Sequence, residues 1–137
     1  MRLGVDAALV DGRLVTGDVA IDGGRIQAVG LDGVGRGIAV PGFVDLQVNG
    51  FAGVDFLGTD ADGFTAAGEA LLETGVTAYL PTLITSEEAD LVPAIASVPA
   101  RAPGPRILGV HLEGPFLSPA RIGVAASGET MRPEPRG

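Results

Sequence analysis

The sequence predicts an α/β chain in which short antiparallel strands come first and parallel strands with helical crossovers follow. Three observations carry this. Asp-Gly pairs at Asp11-Gly12 and Asp22-Gly23 punctuate apolar runs within the first forty residues. Beyond Pro41-Gly42, strand-like and helix-like segments alternate in the order β-α-β-α-β, which implies parallel strands joined by right-handed crossovers. Polar side chains collect near the carboxyl ends of the first and third of these later strands. The organisation that follows is an N-terminal β-strand segment over residues 1–40, three βα units over 41–117 and an irregular or disordered tail over 118–137.

Taken in order, the stretches VDGRLV and IDGGRI place Asp11-Gly12 and Asp22-Gly23 between apolar runs, as type I′ hairpins require. Val19–Ile21 and Arg25–Val29 read as paired strands, and the glycine-rich stretch Leu31–Gly37 as a linker. Phe43–Asn49 is a strand. Asp62–Thr74 is a helix with Asp60 or Asp62 as its cap, Gly75 as its stop, and Phe64, Gly68, Leu71 and Leu72 on one face. Val76–Leu83, rich in Val, Thr and Tyr, is the second strand. Ser86–Val98 is a second helix: Thr85-Ser86-Glu87-Glu88 has capping-box spacing, and Pro93 either kinks the helix or moves its start to Asp90. Ile107–Leu112 is the third strand. The tail lacks apolar periodicity.

Composition narrows the function. The chain is 46% hydrophobic and 19% charged, so it can bury a core. A formal net charge of −8 from scattered acids argues against nucleic acid, because such a chain gains nothing from counterion release. No cysteine is present, which excludes disulfides and thiolate metal sites. Asp6 interrupts the N-terminal apolar run, so it does not read as a signal peptide. No window approaches the ~18 apolar residues of a membrane span. The expectation is a cytoplasmic protein with neither membrane nor nucleic-acid partners.

Strand period places Asp45, Gln47 and Asn49 on one face of the first βα strand, and His111 and Glu113 on one face of the third. Thr82 and Thr85 lie near the same end of the middle strand. Parallel strands covered by helices are normally apolar on both faces, so these polar groups need a reason. A (β/α)8 barrel supplies one, since its catalytic groups sit at the carboxyl ends of strands. A divalent metal would stabilise Glu113 as an anion. Blander readings stand beside this one. His111 could be a core histidine donating to a carbonyl, and Glu113 a strand-end acid reaching solvent. Gln47 and Asn49 could satisfy loop backbone, Asp45 could cap a turn or orient a neighbour, and Asn49-Gly50 could be only a turn.

Three blocks, VPGFVDLQVNGFAGVDF (Val40–Phe56), TAYLPTLIT (Thr77–Thr85) and GVHLEGPFLSPAR (Gly109–Arg121), together resemble the N-acetylglucosamine-6-phosphate deacetylase family of the amidohydrolase superfamily, in its N-terminal portion. The HLEGPF block is the most diagnostic. The resemblance implies a metal-dependent (β/α)8 TIM-type barrel with a small β-sandwich domain. Residues 1–40 would belong to the sandwich, and 41–117 would supply the first three βα units. It implies hydrolysis of the acetamide of an amino-sugar phosphate to glucosamine 6-phosphate and acetate, with a divalent metal ion, zinc by expectation, and a homodimer in the full-length family. By the resemblance Glu113 is a metal ligand. Gln47 and Asn49 match a pair that other members replace with His-x-His, which implies one principal metal. His111 and Asp45 join the metal site or its surroundings without an assigned role.

Two departures accompany the resemblance. A closed barrel takes ~250 residues, and the family's further histidine ligands, catalytic Asp and phosphate contacts have no counterpart here, His111 being the only histidine. Ala125 stands where the family often has a substrate-contacting His, consistent with a frameshifted tail after about Gly123. The expectation is a truncated N-terminal fragment, inactive alone and without a catalytic residue of its own. The alternatives are a non-catalytic module that needs a complementary chain, and another amidohydrolase such as a dihydroorotase-like enzyme. The absence of His-x-His and the presence of HLEGPF count against the last.

Overall fold

The computed structural model describes residues 1–114, and the expected irregular tail at 118–137 lies outside them. The chain divides into two compact units, Met1–Pro41 and Gly42 onward. No helix among the described residues is long and apolar enough to cross a membrane.

The first unit holds two small sheets. In one, β1 (Ala7–Val10) pairs antiparallel with β2 (Arg13–Thr16) and parallel with β5 (Ile38–Ala39). In the other, β3 (Asp18–Asp22) pairs antiparallel with β4 (Arg25–Leu31). Asp11 and Gly12 both take positive φ, 48° and 74°, as a type I′ turn demands. The second hairpin differs from expectation by one residue. Asp22 pairs with Arg25 inside the ladder, and Gly23-Gly24, at φ 54° and 72°, form the turn. Two glycines enter the left-handed region without strain, so they displace Asp22 from the turn centre.

Asp18 ties this unit together. It is 5% exposed, and its carboxylate accepts from Arg2 Nε (2.9 Å) and from the backbone N–H groups of Gly4 (2.9 Å), Val5 (3.1 Å) and Val19 (2.7 Å). The Arg2 guanidinium, then the Val5 N–H, hold the carboxyl at about 2, below its ordinary 3.8, against the opposing effect of burial. Because the folded value is depressed, this stabilisation is present above the unfolded pKa and is lost as pH falls from about 4 through about 2. Hydrogen-exchange protection of β3 and β4, relative to the intrinsic rate at each pH, should therefore fall through that window. Asp18→Asn should flatten the pH dependence; an unchanged profile would show that the carboxylate contributes nothing to it.

The second unit is a parallel sheet with helical crossovers. Strand β6 (Phe43–Val48) leads through α1 (Ala61–Glu73) to β7 (Val76–Leu83), then through α2 (Glu88–Ser97) to β8 (Arg106–Ile107) and β9 (His111–Leu112), both of which pair with β7. Asp60 caps α1, its Oδ1 accepting from Asp62 N (3.2 Å) and Gly63 N (3.1 Å). The face of α1 that is buried is Phe64, Ala67, Gly68 and Leu71, whereas Leu72 is 48% exposed. Leu72 lies off that arc, one position beyond the i, i+3, i+4, i+7 stripe.

Helix α2 begins at Glu88, without a side-chain cap, and carries Pro93 inside it. The expected capping box is not formed because the Thr85 hydroxyl donates to the carbonyl of Glu113. The third strand is interrupted. Ile107 pairs with Tyr79 and His111 with Thr82, so four steps on one strand answer three on the other. The break centres on Gly109 at φ 151°, a conformation glycine adopts freely.

The core of this unit is built from Val48, Phe56, Phe64, Ala67, Leu71, Tyr79, Leu83 and their neighbours on α2. Phe56 and Phe64 stack with ring centroids 5.1 Å apart and planes 2° from parallel. Gly68 lets α1 approach the loop before β8: a Cβ there would lie 2.8 Å from the Pro103 carbonyl oxygen. The alternate apolar residues of β6 are only partly covered. Val48 is buried, but Val44 and Leu46 are exposed. Irregularities in the β6–β7 pairing break the strict alternation, and β6 is an edge strand of the described sheet.

Candidate functional site

The carboxyl ends of β6, β7 and β9 bring together a small set of polar side chains. Gln47, on β6, donates from Nε2 to Oε1 of Glu113, just past β9. These groups lie 66 positions apart in the sequence. Glu113 is anchored through its backbone as well. Its N–H donates to the Leu83 carbonyl (2.9 Å), and its carbonyl accepts from the Thr85 hydroxyl. Both anchors come from the end of β7. Gly114 completes the fit, since a Cβ there would collide with the Thr85 side chain.

His111 lies two residues earlier. Its Nδ1 is 3.3 Å from the Thr82 hydroxyl, and Thr82 is 1% exposed. Asp45 takes the turn-capping role, its Oδ1 accepting from the backbone N–H of Gln47 (3.0 Å) and so fixing the residue that reaches Glu113. Asn49 is exposed at the end of β6 and makes no side-chain hydrogen bond among the described residues. The tight turn expected at Asn49-Gly50 falls three residues later. Phe51 and Val54 bond to each other through both N–H groups (3.1 and 2.9 Å), with Ala52 and Gly53 at φ 50° and 81° between them. At Gly50, with φ 145°, a Cβ would lie 2.5 Å from the Val54 carbonyl oxygen, so the close backbone approach there needs glycine.

The geometry thus joins Glu113 with Gln47, and His111 with Thr82, and leaves Asn49 apart. The clamping role of Thr82 and Thr85 was not legible. Their position near the strand end was, but the partners of a hydroxyl depend on the register of the neighbouring strand.

Chemically, the set offers the Glu113 carboxylate, an amide and an imidazole, with the Asp45 carboxylate engaged by the Gln47 backbone N–H. Glu113 is of the type that ligates zinc, and a neutral amide is not among zinc's usual ligands. No group of three ligating side chains that could hold a metal occurs among the described residues. They therefore fit part of a metal site and do not close one, and no catalytic step can be routed through a metal held by them alone.

No protein-family model matches the chain. It is 41% identical over 95 residues to the N-acetylglucosamine-6-phosphate deacetylase of Rattus norvegicus, covering 65% of this chain and 23% of that enzyme. The Homo sapiens enzyme of the same name is 35% identical over 130 residues, covering 82% and 32% respectively. A crystal structure of the Mycobacterium smegmatis N-acetyl-D-glucosamine-6-phosphate deacetylase superposes with a TM-score of 0.77 at 31% identity, covering 98% of this chain and 41% of that one. A D267A mutant of that enzyme, solved in complex with N-acetyl-D-glucosamine-6-phosphate, gives a TM-score of 0.72 at 30% identity, covering 94% and 37%. The chain thus spans about a quarter to a third of the curated relatives it matches. The similarity read from the three sequence blocks is borne out, and it is to deacetylases of this name.

Proposed function

We propose that this chain is the N-terminal portion of an N-acetylglucosamine-6-phosphate deacetylase: the strands of a small β-sandwich followed by the first three βα units of a (β/α)8 barrel. In this reading Glu113 is the chain's contribution to a divalent metal site, with zinc the expected ion. The metal, when bound, activates water and polarises the acetamide carbonyl. Gln47 orients the Glu113 carboxylate, Asp45 fixes Gln47, and Thr85 and Leu83 hold the Glu113 backbone. Amino-sugar phosphate is the substrate, the location is cytoplasmic and the completed enzyme is a homodimer. The observation that carries the reading is the Gln47–Glu113 contact, which unites the ends of two strands far apart in sequence at the place where barrel enzymes hold their reacting groups.

A hybrid tests it. Residues 1–114 replace the aligned segment of the Mycobacterium smegmatis enzyme, and acetate release from N-acetylglucosamine 6-phosphate is measured with added zinc. The expected result is activity in the hybrid and none in the 137-residue chain by itself. A folded hybrid without activity would overturn the reading.

One observation favours a second reading, a module that is stable only with a complementary chain. Edge strand β6 exposes Phe43, Val44 and Leu46, and open apolar edges invite pairing. A cooperative melt of a monomeric sample by circular dichroism would exclude this second reading.

A further inference from the structure

His111 is the only histidine in the chain, and its hydrogen bonding decides which ring nitrogen is available. The Thr82 hydroxyl has two neighbours, the Leu80 carbonyl oxygen at 3.3 Å and His111 Nδ1 at 3.3 Å. A hydroxyl carries one proton and accepts through its lone pairs, whereas a carbonyl only accepts. Both contacts are satisfied together in one arrangement: Thr82 donates to Leu80, and His111 Nδ1–H donates to Thr82. Were Thr82 instead to donate to Nδ1, the Leu80 contact would place two acceptor oxygens against each other. Thr82 is 1% exposed, so bulk water cannot relieve that conflict.

We propose that Thr82 is a positioning residue that holds neutral His111 in its Nδ1–H tautomer, leaving Nε2 with a free lone pair as an acceptor two residues before Glu113. Free neutral histidine favours the opposite tautomer, so the protein must impose this one. The choice determines what the ring can do: it accepts a hydrogen bond at Nε2 and cannot donate there. The second anchor on the same strand end, Thr85 to the Glu113 carbonyl, fixes the backbone on the far side of His111. This assignment rests on the hydrogen-bond geometry alone and does not depend on the deacetylase reading.

The test uses the full chain labelled with 15N-histidine. With one histidine, two-bond proton–nitrogen correlations give a single imidazole pattern, read at a pH where the ring is neutral. The wild type is expected to show a pyridine-type Nε2 and a pyrrole-type Nδ1. Thr82→Ser should keep that pattern, and Thr82→Val, if dispersed amide signals show it folded, should move toward the Nε2–H form. A wild type showing the Nε2–H form or a free-histidine mixture would overturn the assignment, as would a folded Thr82→Val that keeps the Nδ1–H form. The wild-type spectrum and Thr82→Ser decide the matter even if Thr82→Val loses the fold.

Discussion

Glu113→Gln, introduced into the hybrid enzyme, is expected to lower acetate release at least about 100-fold, the upper end of what losing a group that merely supports a metal ligand costs. The substitution removes the charge of the Glu113 carboxylate and keeps the shape of the side chain. Gln47 Nε2 can still donate to the new side-chain oxygen, and both backbone anchors of residue 113 remain. The fold should be unchanged and the zinc content, read by elemental analysis, should fall with the activity. A neutral amide is a poor substitute for a carboxylate as a zinc ligand. Full zinc content together with near-native activity would remove Glu113 from the metal site and leave it as an acid that braces the end of β6. Gln47→Ala provides the contrast. It deletes the donor to Glu113 and spares the carboxylate, so a smaller loss, about 10-fold, is expected.

The features legible in the sequence were those whose signals are local. Asp60 caps α1 because its side chain reaches N–H groups two and three residues ahead, and any such residue before an apolar stripe announces itself. Strand β7 was read to the residue because a run of Val, Thr and Tyr ends at both sides in unambiguous neighbours. What stayed hidden depends on residues distant in sequence. The pairing of Ile38–Ala39 with β1 is parallel and spans some thirty positions, and no short-range pattern encodes it. The capping box before α2 had the right spacing, yet the Thr85 hydroxyl found a carbonyl on another strand. Gly109 looked like part of an apolar run and instead marks the break between β8 and β9. For the candidate site, period two placed Gln47 and Glu113 on polar faces, and the contact between them agrees with that placement. It put Asn49 with them too, but Asn49 lies beyond the last ladder residue of β6, where strand alternation no longer directs a side chain.

Phe64→Ala should have the largest effect on stability, about 3–5 kcal/mol, the range for truncating a buried aromatic to alanine. Phe64 is fully buried on α1, stacked on Phe56, which in turn contacts the ring of Tyr79 at 6.0 Å. Removing it leaves a cavity in the layer where aromatic contacts join α1 to the sheet, and the close approach of Gly68 to Pro103 leaves the helix little freedom to collapse inward. Small domains are stable by about 5–15 kcal/mol in total, so this one change consumes much of what the second unit has. Phe64→Leu separates the two components. It retains most of the apolar volume and loses the ring pair, for which about 1 kcal/mol is expected. Tyr79 is the only tyrosine and the chain has no tryptophan. Its fluorescence therefore reports on this unit alone during urea unfolding. A loss below about 1 kcal/mol for Phe64→Ala, on the scale of an ordinary surface change, would mean that the α1–sheet interface is not packed as described. The strand ends that carry Gln47 and Glu113 would then lack the rigid support on which their contact depends.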